Sequence, residues 1–265
     1  MTHVDGVWRT LSAVRTARPL VHNITNYVVM NSSANALLAL GASPAMVHST
    51  EEVEEFVDLA QALVINIGTL SPAWVAAMKL AAARAVARGR PWALDPVGAG
   101  ATSYRSAVAS DLALRQPAVV RGNASEILSL ARATSEATRG VDATQGSEAA
   151  IDAAKAFARR IGAVVAVTGA VDYVTDGERV ATCHNGHPLM TRVTGLGCTA
   201  TAVIAACLAV ESDRLSATLH ALALLGLAGE LAAERASGPG TLQMHLYDVL
   251  AGLDRETVER RVRIA

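Results

Sequence analysis

Short apolar runs of strand length alternate with longer stretches of helical period through the first 170 residues. This alternation limits the fold more than any other feature of the chain. Runs at 19–22, 44–48, 62–67, 92–95, 118–121 and 163–168 read as buried strands. Between them, 27–40, 51–60, 72–89, 103–115, 124–132 and 147–161 read as helices. Strand and helix in turn predict βαβ units, hence an α/β protein with a mostly parallel sheet and helices on both faces. Two helix starts carry local signals, Ser49-Thr-Glu-Glu52 and Ser71-Pro72, the latter with proline in the first turn.

The pattern changes after residue 170. Asp172-Tyr-Val-Thr175 and Arg179-Val-Ala-Thr182 flank Asp176-Gly177, a pair suited to a type I′ turn, and read as a hairpin. Helices are predicted near 198–210, 214–236 and 241–252. The polar segment 132–146 reads as a surface connection. With 265 residues and no repeat, one domain over 1–265 is expected.

Composition narrows the function. Apolar residues make up 51% of the chain and aromatics only 3%, so the core must be built from Ala, Val, Leu and Ile. A net charge of −1 gives no electrostatic reason to expect nucleic acid or an anionic membrane. The longest apolar stretch, 217–233, contains His220 and Glu230 and falls short of the ~20 residues of a membrane span, so a buried helix is expected. The opening Met1-Thr-His-Val-Asp5 lacks the charged-then-apolar pattern of a signal peptide. Cys183, Cys198 and Cys207 show no metal-binding or disulfide spacing, which fits a reducing cytoplasm.

Polar or glycine residues fall at six predicted strand ends: Asn23-Ile-Thr-Asn26, His48, Asn66-Ile-Gly68, Asp95-Pro96, Arg121-Gly-Asn-Ala-Ser-Glu126 and Thr168-Gly169. Ligands of open α/β sheets bind at such ends. Thr194-Gly-Leu-Gly-Cys198 runs into an apolar helix, so free N–H groups and the helix dipole would favour an anion there. Cys198 sits where a helix end tends to lower a thiol pKa; as a plain alternative it is a small buried hydrophobe. Asp95 and Glu126 are a carboxylate pair suited to Mg²⁺, although Asp95 also fits an Asp-Pro turn and Asn123 with Glu126 also fits a capping box. Arg121 suits a phosphate clamp or a surface salt bridge. No G-x-x-x-x-G-K-[ST] occurs, and neither Lys79 nor Lys155 lies in a glycine-rich loop, so a P-loop NTPase is excluded. The absence of G-x-G-x-x-G after the first strand weighs against a dinucleotide-binding domain.

Together, Val21-His-Asn-Ile-Thr-Asn26, Gly41-Ala-Ser-Pro-Ala-Met46, Asn66-Ile-Gly-Thr69, Leu94-Asp-Pro-Val-Gly-Ala99, Arg121-Gly-Asn-Ala-Ser-Glu126, Val167-Thr-Gly169 and Val193-Thr-Gly-Leu-Gly-Cys198 resemble hydroxyethylthiazole kinases. The likeness runs from about Leu11 to Leu253. It implies a ribokinase-like three-layer α/β/α sandwich. It implies ATP-dependent phosphorylation of 5-(2-hydroxyethyl)-4-methylthiazole in the thiazole-salvage branch of thiamine biosynthesis. By the same resemblance Met46, Gly195 and Asn23 would contact the thiazole. Arg121, Thr168, Asn123 and Gly197 would contact ATP, Asp95 and Glu126 would lie near Mg²⁺, and Cys198 would be the catalytic side chain. A homotrimer with sites at subunit interfaces is implied too.

Related sugar kinases place aspartate where Cys198 stands, and a thiol is a weak base for an alcohol. Other readings are a kinase for hydroxymethylpyrimidine or a pyridoxal-like vitamer, and an ATP-using dehydratase repairing hydrated nicotinamide nucleotides. Still others are a hydrolase pairing Cys198 with His184 or His187, and a non-catalytic binding protein. The Asn-Ile-Thr-Asn and Ser-Pro-Ala-Met segments favour the thiazole.

Overall fold

The computed structural model describes residues 3–134 and 147–265. The first helix, α1 (His3–Ala17), has no counterpart among the predicted elements. From there the alternation holds: β1 (Leu20–Ile24), α2 (Met30–Leu40), β2 (Ser43–Met46), α3 (Val53–Leu59), β3 (Ala62–Asn66), α4 (Pro72–Ala87), β4 (Trp92–Asp95), α5 (Ser103–Ala113), β5 (Val119–Asn123), α6 (Ala124–Ala133), α7 (Ser147–Ile161) and β6 (Val164–Thr168). Then come β7 (Asp172–Thr175), β8 (Val180–Cys183), a 3₁₀ turn at Pro188–Arg192, and helices α8 (Leu196–Leu208), α9 (Arg214–Arg235), α10 (Pro239–Gly252) and α11 (Arg255–Arg261). Most of the polar connection read at 132–146 lies outside the described residues.

The strands form one sheet in the order β2-β1-β3-β4-β5-β6-β7-β8. The first six are parallel, while β7 is antiparallel to both β6 and β8. Alternate side chains enter separate cores, as the two-residue period of a strand requires. Ala62 and Val64 of β3 pack with α1, α2 and α8–α11, whereas Leu63 and Ile65 pack with α3–α7. The result is the expected three-layer sandwich.

α8 is buried almost all round because it lies between the sheet and α9. α9 is long and apolar enough to cross a membrane by length and composition, but its apolar residues are spent on this interior, as expected for 217–233.

Some details differ from the sequence reading. β2 is half-buried along its length because it is the edge strand. α3 begins at Val53 without a side-chain cap; the Ser49 hydroxyl turns to the Glu51 carboxylate instead. Ser71 does cap α4, accepting from the Trp74 N–H with Pro72 in the first turn. The hairpin closes through four residues, Thr175 pairing with Val180, rather than a two-residue type I′ turn. Only Gly177 has a positive φ in that loop, and Asp176 accepts from the N–H groups of Glu178 and Arg179. α8 starts at Leu196, two residues early, so Cys198 is already the third helical residue.

Candidate active site

The carboxyl ends of β3, β4, β5 and β6 bring Asn66, Asp95, Asn123 and Thr168 to one side of the sheet, and α8 packs on β3 and β4. Asp95 is fully buried. Its Oδ2 accepts from Asn66 Nδ2 and Thr201 Oγ1, both at 2.9 Å, and lies 3.8 Å from Arg121 Nη1. Burial pushes its carboxyl above the usual range, against the pull of the Arg121 guanidinium and the two donors.

The polar chain continues outward. Asn66 Oδ1 accepts from Asn26 Nδ2 at 2.8 Å and from the Gly68 N–H at 2.9 Å. Asn26 Nδ2 also lies 3.7 Å from Cys198 Sγ. Thr201, Asp95, Asn66, Asn26 and Cys198 are thus linked in sequence.

Burial, and next the Asp95 carboxylate, push the Cys198 thiol up to about 11. The lowering expected at a helix end is outweighed, because the thiol is enclosed and faces a negative neighbour rather than solvent. At pH 7 only about one thiol in 10⁴ is ionised.

Two glycines shape the entry to α8. Gly195 is the N-cap at φ +81°, a left-handed conformation, and a Cβ there would overlap Val29 Cγ1. A Cβ on Gly197 would lie 2.6 Å from Arg121 Nη1, so glycine lets the guanidinium rest against the first turn. The first helical bond runs from Thr199 N–H to the Gly195 carbonyl, which leaves the N–H groups of Leu196, Gly197 and Cys198 ahead of it. Arg121 also donates to Thr168 Oγ1. An arginine and a helix N-terminus converging this way form an anion site.

Glu126 forms the capping box: its Oε2 accepts from the Asn123 N–H, and Asn123 Oδ1 accepts from the Glu126 N–H. Its Oε1 accepts from the Gly98 N–H at 2.8 Å, tying α6 to the loop after β4. Each carboxylate oxygen keeps acceptor capacity beyond these bonds.

Among the described residues no group of three or more His, Cys, Asp or Glu could hold a metal. Asp95 Oδ1, however, is buried without a hydrogen-bond partner, and Glu126 is close enough to act on the Asp95 charge. Two carboxylates with one unpartnered oxygen fit Mg²⁺, which takes few protein ligands and keeps water and phosphate.

A cavity of about 560 Å³ opens beside Arg121, Asn123, Thr168 and Gly197 and is closed by the 3₁₀ turn and α9. Four sequence candidates therefore share one cleft. Asn23 and Met46 lie outside its lining, side by side in the pairing of β1 with β2. Asn23 Nδ2 donates back to the Val21 carbonyl and its Oδ1 is buried without a partner.

Asn26, Asn66, Thr201 and Asp172 were not singled out as site residues by sequence. Asn26 and Asn66 stand in the strand-end motifs. Thr201 follows Cys198 by one helical turn, the one local signal it gave.

Residues 11–256 match the hydroxyethylthiazole kinase family. The chain belongs to that family. It is 53% identical over 261 residues to a hydroxyethylthiazole kinase of Syntrophus aciditrophicus, covering 98% of this chain and 97% of that protein. Identity is 58% over 244 residues to one of Granulibacter bethesdensis, covering 92% and 89%. A solved hydroxyethylthiazole kinase from Pyrococcus horikoshii superposes with a TM-score of 0.91 at 44% identity over 98% of each chain. An ADP complex of Bacillus subtilis pyridoxal kinase shares the fold at a TM-score of 0.61 and 18% identity, covering 79% of this chain and 90% of that one. The chain is thus a kinase of ribokinase-like fold.

Proposed function

We propose that this enzyme transfers the γ-phosphoryl group of ATP to the hydroxyl of 5-(2-hydroxyethyl)-4-methylthiazole, giving the thiazole phosphate and ADP in thiamine biosynthesis. The observation that carries the reading is the identity of more than half over nearly full length to kinases named for this substrate. The cleft beside Arg121 and the α8 N-terminus supports it physically. The proposal takes 1–265 as one domain.

Arg121, Thr168, Asn123 and Gly197 bind ATP, with the N–H groups of 196–198 facing the phosphates. Met46, Gly195 and Asn23 line the thiazole side. Asp95 and Glu126 would hold Mg²⁺, directly or through water, and the ion would supply charge neutralisation at the phosphates. The alcohol oxygen bonds to the γ-phosphorus as the bond from that phosphorus to the bridging oxygen breaks, and ADP leaves with the electron pair. Such a transition state is loose and needs positioning and charge stabilisation more than a strong base. Arg121 and the helix N–H groups meet the charge on the transferring group. Cys198 stays a neutral thiol beside the acceptor hydroxyl, steadied by Asn26, and the hydroxyl proton departs late, to a phosphoryl oxygen or water.

A homotrimer places each thiazole site at a subunit interface. The edge strand β2 and the exposed Tyr27 and Val28 beside Asn26 support an interface there. Light scattering at three times the 27.4 kDa protomer mass is expected, and a monomer overturns it. Three free thiols, Cys183, Cys198 and Cys207, support a reducing cytoplasm.

A coupled assay of ADP release from Mg-ATP tests the activity against a panel of alcohols: the thiazole, hydroxymethylpyrimidine and pyridoxal. Thiazole-dependent release is expected. None from folded protein overturns the proposal.

A further inference from the structure

The nucleotide cleft contains a carboxylate that the phosphate chemistry leaves without a task. Asp172, the first residue of β7, is the one carboxylate lining the cavity among the described residues. Its Oδ1 accepts from the Gly169 N–H at 3.0 Å, which fixes the side chain at the turn between β6 and β7. Its Oδ2 accepts no hydrogen bond among the described residues. A carboxylate repels phosphate, so a nucleotide bound here must present it with donors instead.

Sheet order says which donors. In the cleft, the neighbouring strands β5, β6 and β7 supply Arg121, Thr168 and Asp172, while the segment after β8 and the helix α9, which packs over β6–β8, supply the apolar Pro188, Met190, Leu222 and Leu225. The cationic end suits phosphates and the apolar end suits a purine base. Between phosphate and base every nucleotide carries its sugar, whose vicinal hydroxyls are the donors available at that point.

We propose that Asp172 reads the ribose hydroxyls of the nucleoside triphosphate and makes the enzyme selective for ribo- over deoxyribonucleotides. The proposal rests on the reading that this cleft binds ATP. Burial raises the Asp172 carboxyl to about 6, so it is ionised and acceptor-only at neutral pH. Arg121 lies near enough to favour that charge. A hydrogen bond to a charged acceptor corresponds to about tenfold or more in affinity.

The test measures binding of ATP, 2′-dATP and 3′-dATP by calorimetry, with no alcohol present, to wild type, Asp172→Asn and Asp172→Ala. Wild type is expected to bind ATP about tenfold more tightly than at least one deoxy analogue. The ratio falls below about threefold in Asp172→Asn and to about one in Asp172→Ala, through loss of ATP affinity with the deoxy affinity kept. Equal wild-type affinities, or a ratio unchanged in both variants, overturn the assignment. Because the alcohol is left out, failure of thiazole phosphorylation and failure of ribose selectivity are separate outcomes. Wild type that binds no nucleotide overturns both readings.

Discussion

Replacing Cys198 tests whether the thiol does chemistry or only lines the site. Burial and Asp95 hold it near 11, so at pH 7 about one molecule in 10⁴ carries a thiolate. If that thiolate were the required base, kcat would rise about a hundredfold from pH 7 to pH 9, one decade per unit. The neutral-thiol account predicts a rise of less than about threefold. It also predicts that Cys198→Ala lowers kcat by less than about a hundredfold, the low end of general-base contributions. Cys198→Asp remains active, because a carboxyl ionises far more readily than a thiol in the same surroundings. Steady-state ADP release at saturating substrates, with melting curves as a control, measures all three. A log-linear climb in wild-type kcat to pH 9, with both variants folded, substrate-binding and inactive, rules out a neutral thiol.

Gly197→Ala should raise the KM for ATP more than tenfold, because its Cβ would displace the Arg121 guanidinium, while helix propensity keeps stability level or higher; an unchanged KM contradicts the contact. Asp172→Asn should stabilise the protein increasingly as pH rises. The folded carboxyl is raised from 3.8 to about 6, so its contribution is fully present below pH 3.8 and lost as pH climbs through about 6. The ionised group then costs about 3 kcal/mol, and the Tm gain of the variant should be absent near pH 4 and several degrees at pH 7.5. A gain independent of pH contradicts this. Glu230 accepts from the Gly186 N–H, Asn185 Nδ2 and Arg263, tying the C-terminal segment to the wall of the cleft. Arg263 is half exposed, so the cost of Glu230→Leu comes chiefly from the Gly186 N–H and the Asn185 amide losing a charged acceptor: about 2 kcal/mol in urea unfolding, and a loss under about 0.5 kcal/mol contradicts the clamp.

The inner strands were legible because they are largely buried and separated by helices of clear period. The last two strands were legible from Asp176-Gly177, though the turn type was not. The Asp176 side chain organises that loop, with its carboxylate on two backbone N–H groups, instead of a two-residue Asp-Gly turn. α1 preceded the first strand and so fell outside the alternation that exposed the rest.

The same division runs through the site. Arg121, Asn123, Thr168 and Gly197 stand in short motifs, and they meet in one cleft. The Asn26–Asn66–Asp95–Thr201 relay joins residues far apart in the chain, and no spacing announces such a link. Cys198 was visible but its charge state was not, since position on a helix gives the dipole and only packing gives the burial. Glu126 forms the capping box that its spacing from Asn123 suggested, and its carboxylate also stands near Asp95, which supports the proposed Mg²⁺ role without deciding it.

Phosphoryl transfer from ATP to the thiazole alcohol is the proposed reaction. Direct detection of the phosphorylated thiazole by mass spectrometry, alongside ADP release from purified protein with Mg-ATP, tests it most simply. One thiazole phosphate per ADP is expected, with little turnover of hydroxymethylpyrimidine or pyridoxal. Folded protein that releases no ADP with the thiazole, or that turns over either rival alcohol faster, contradicts it.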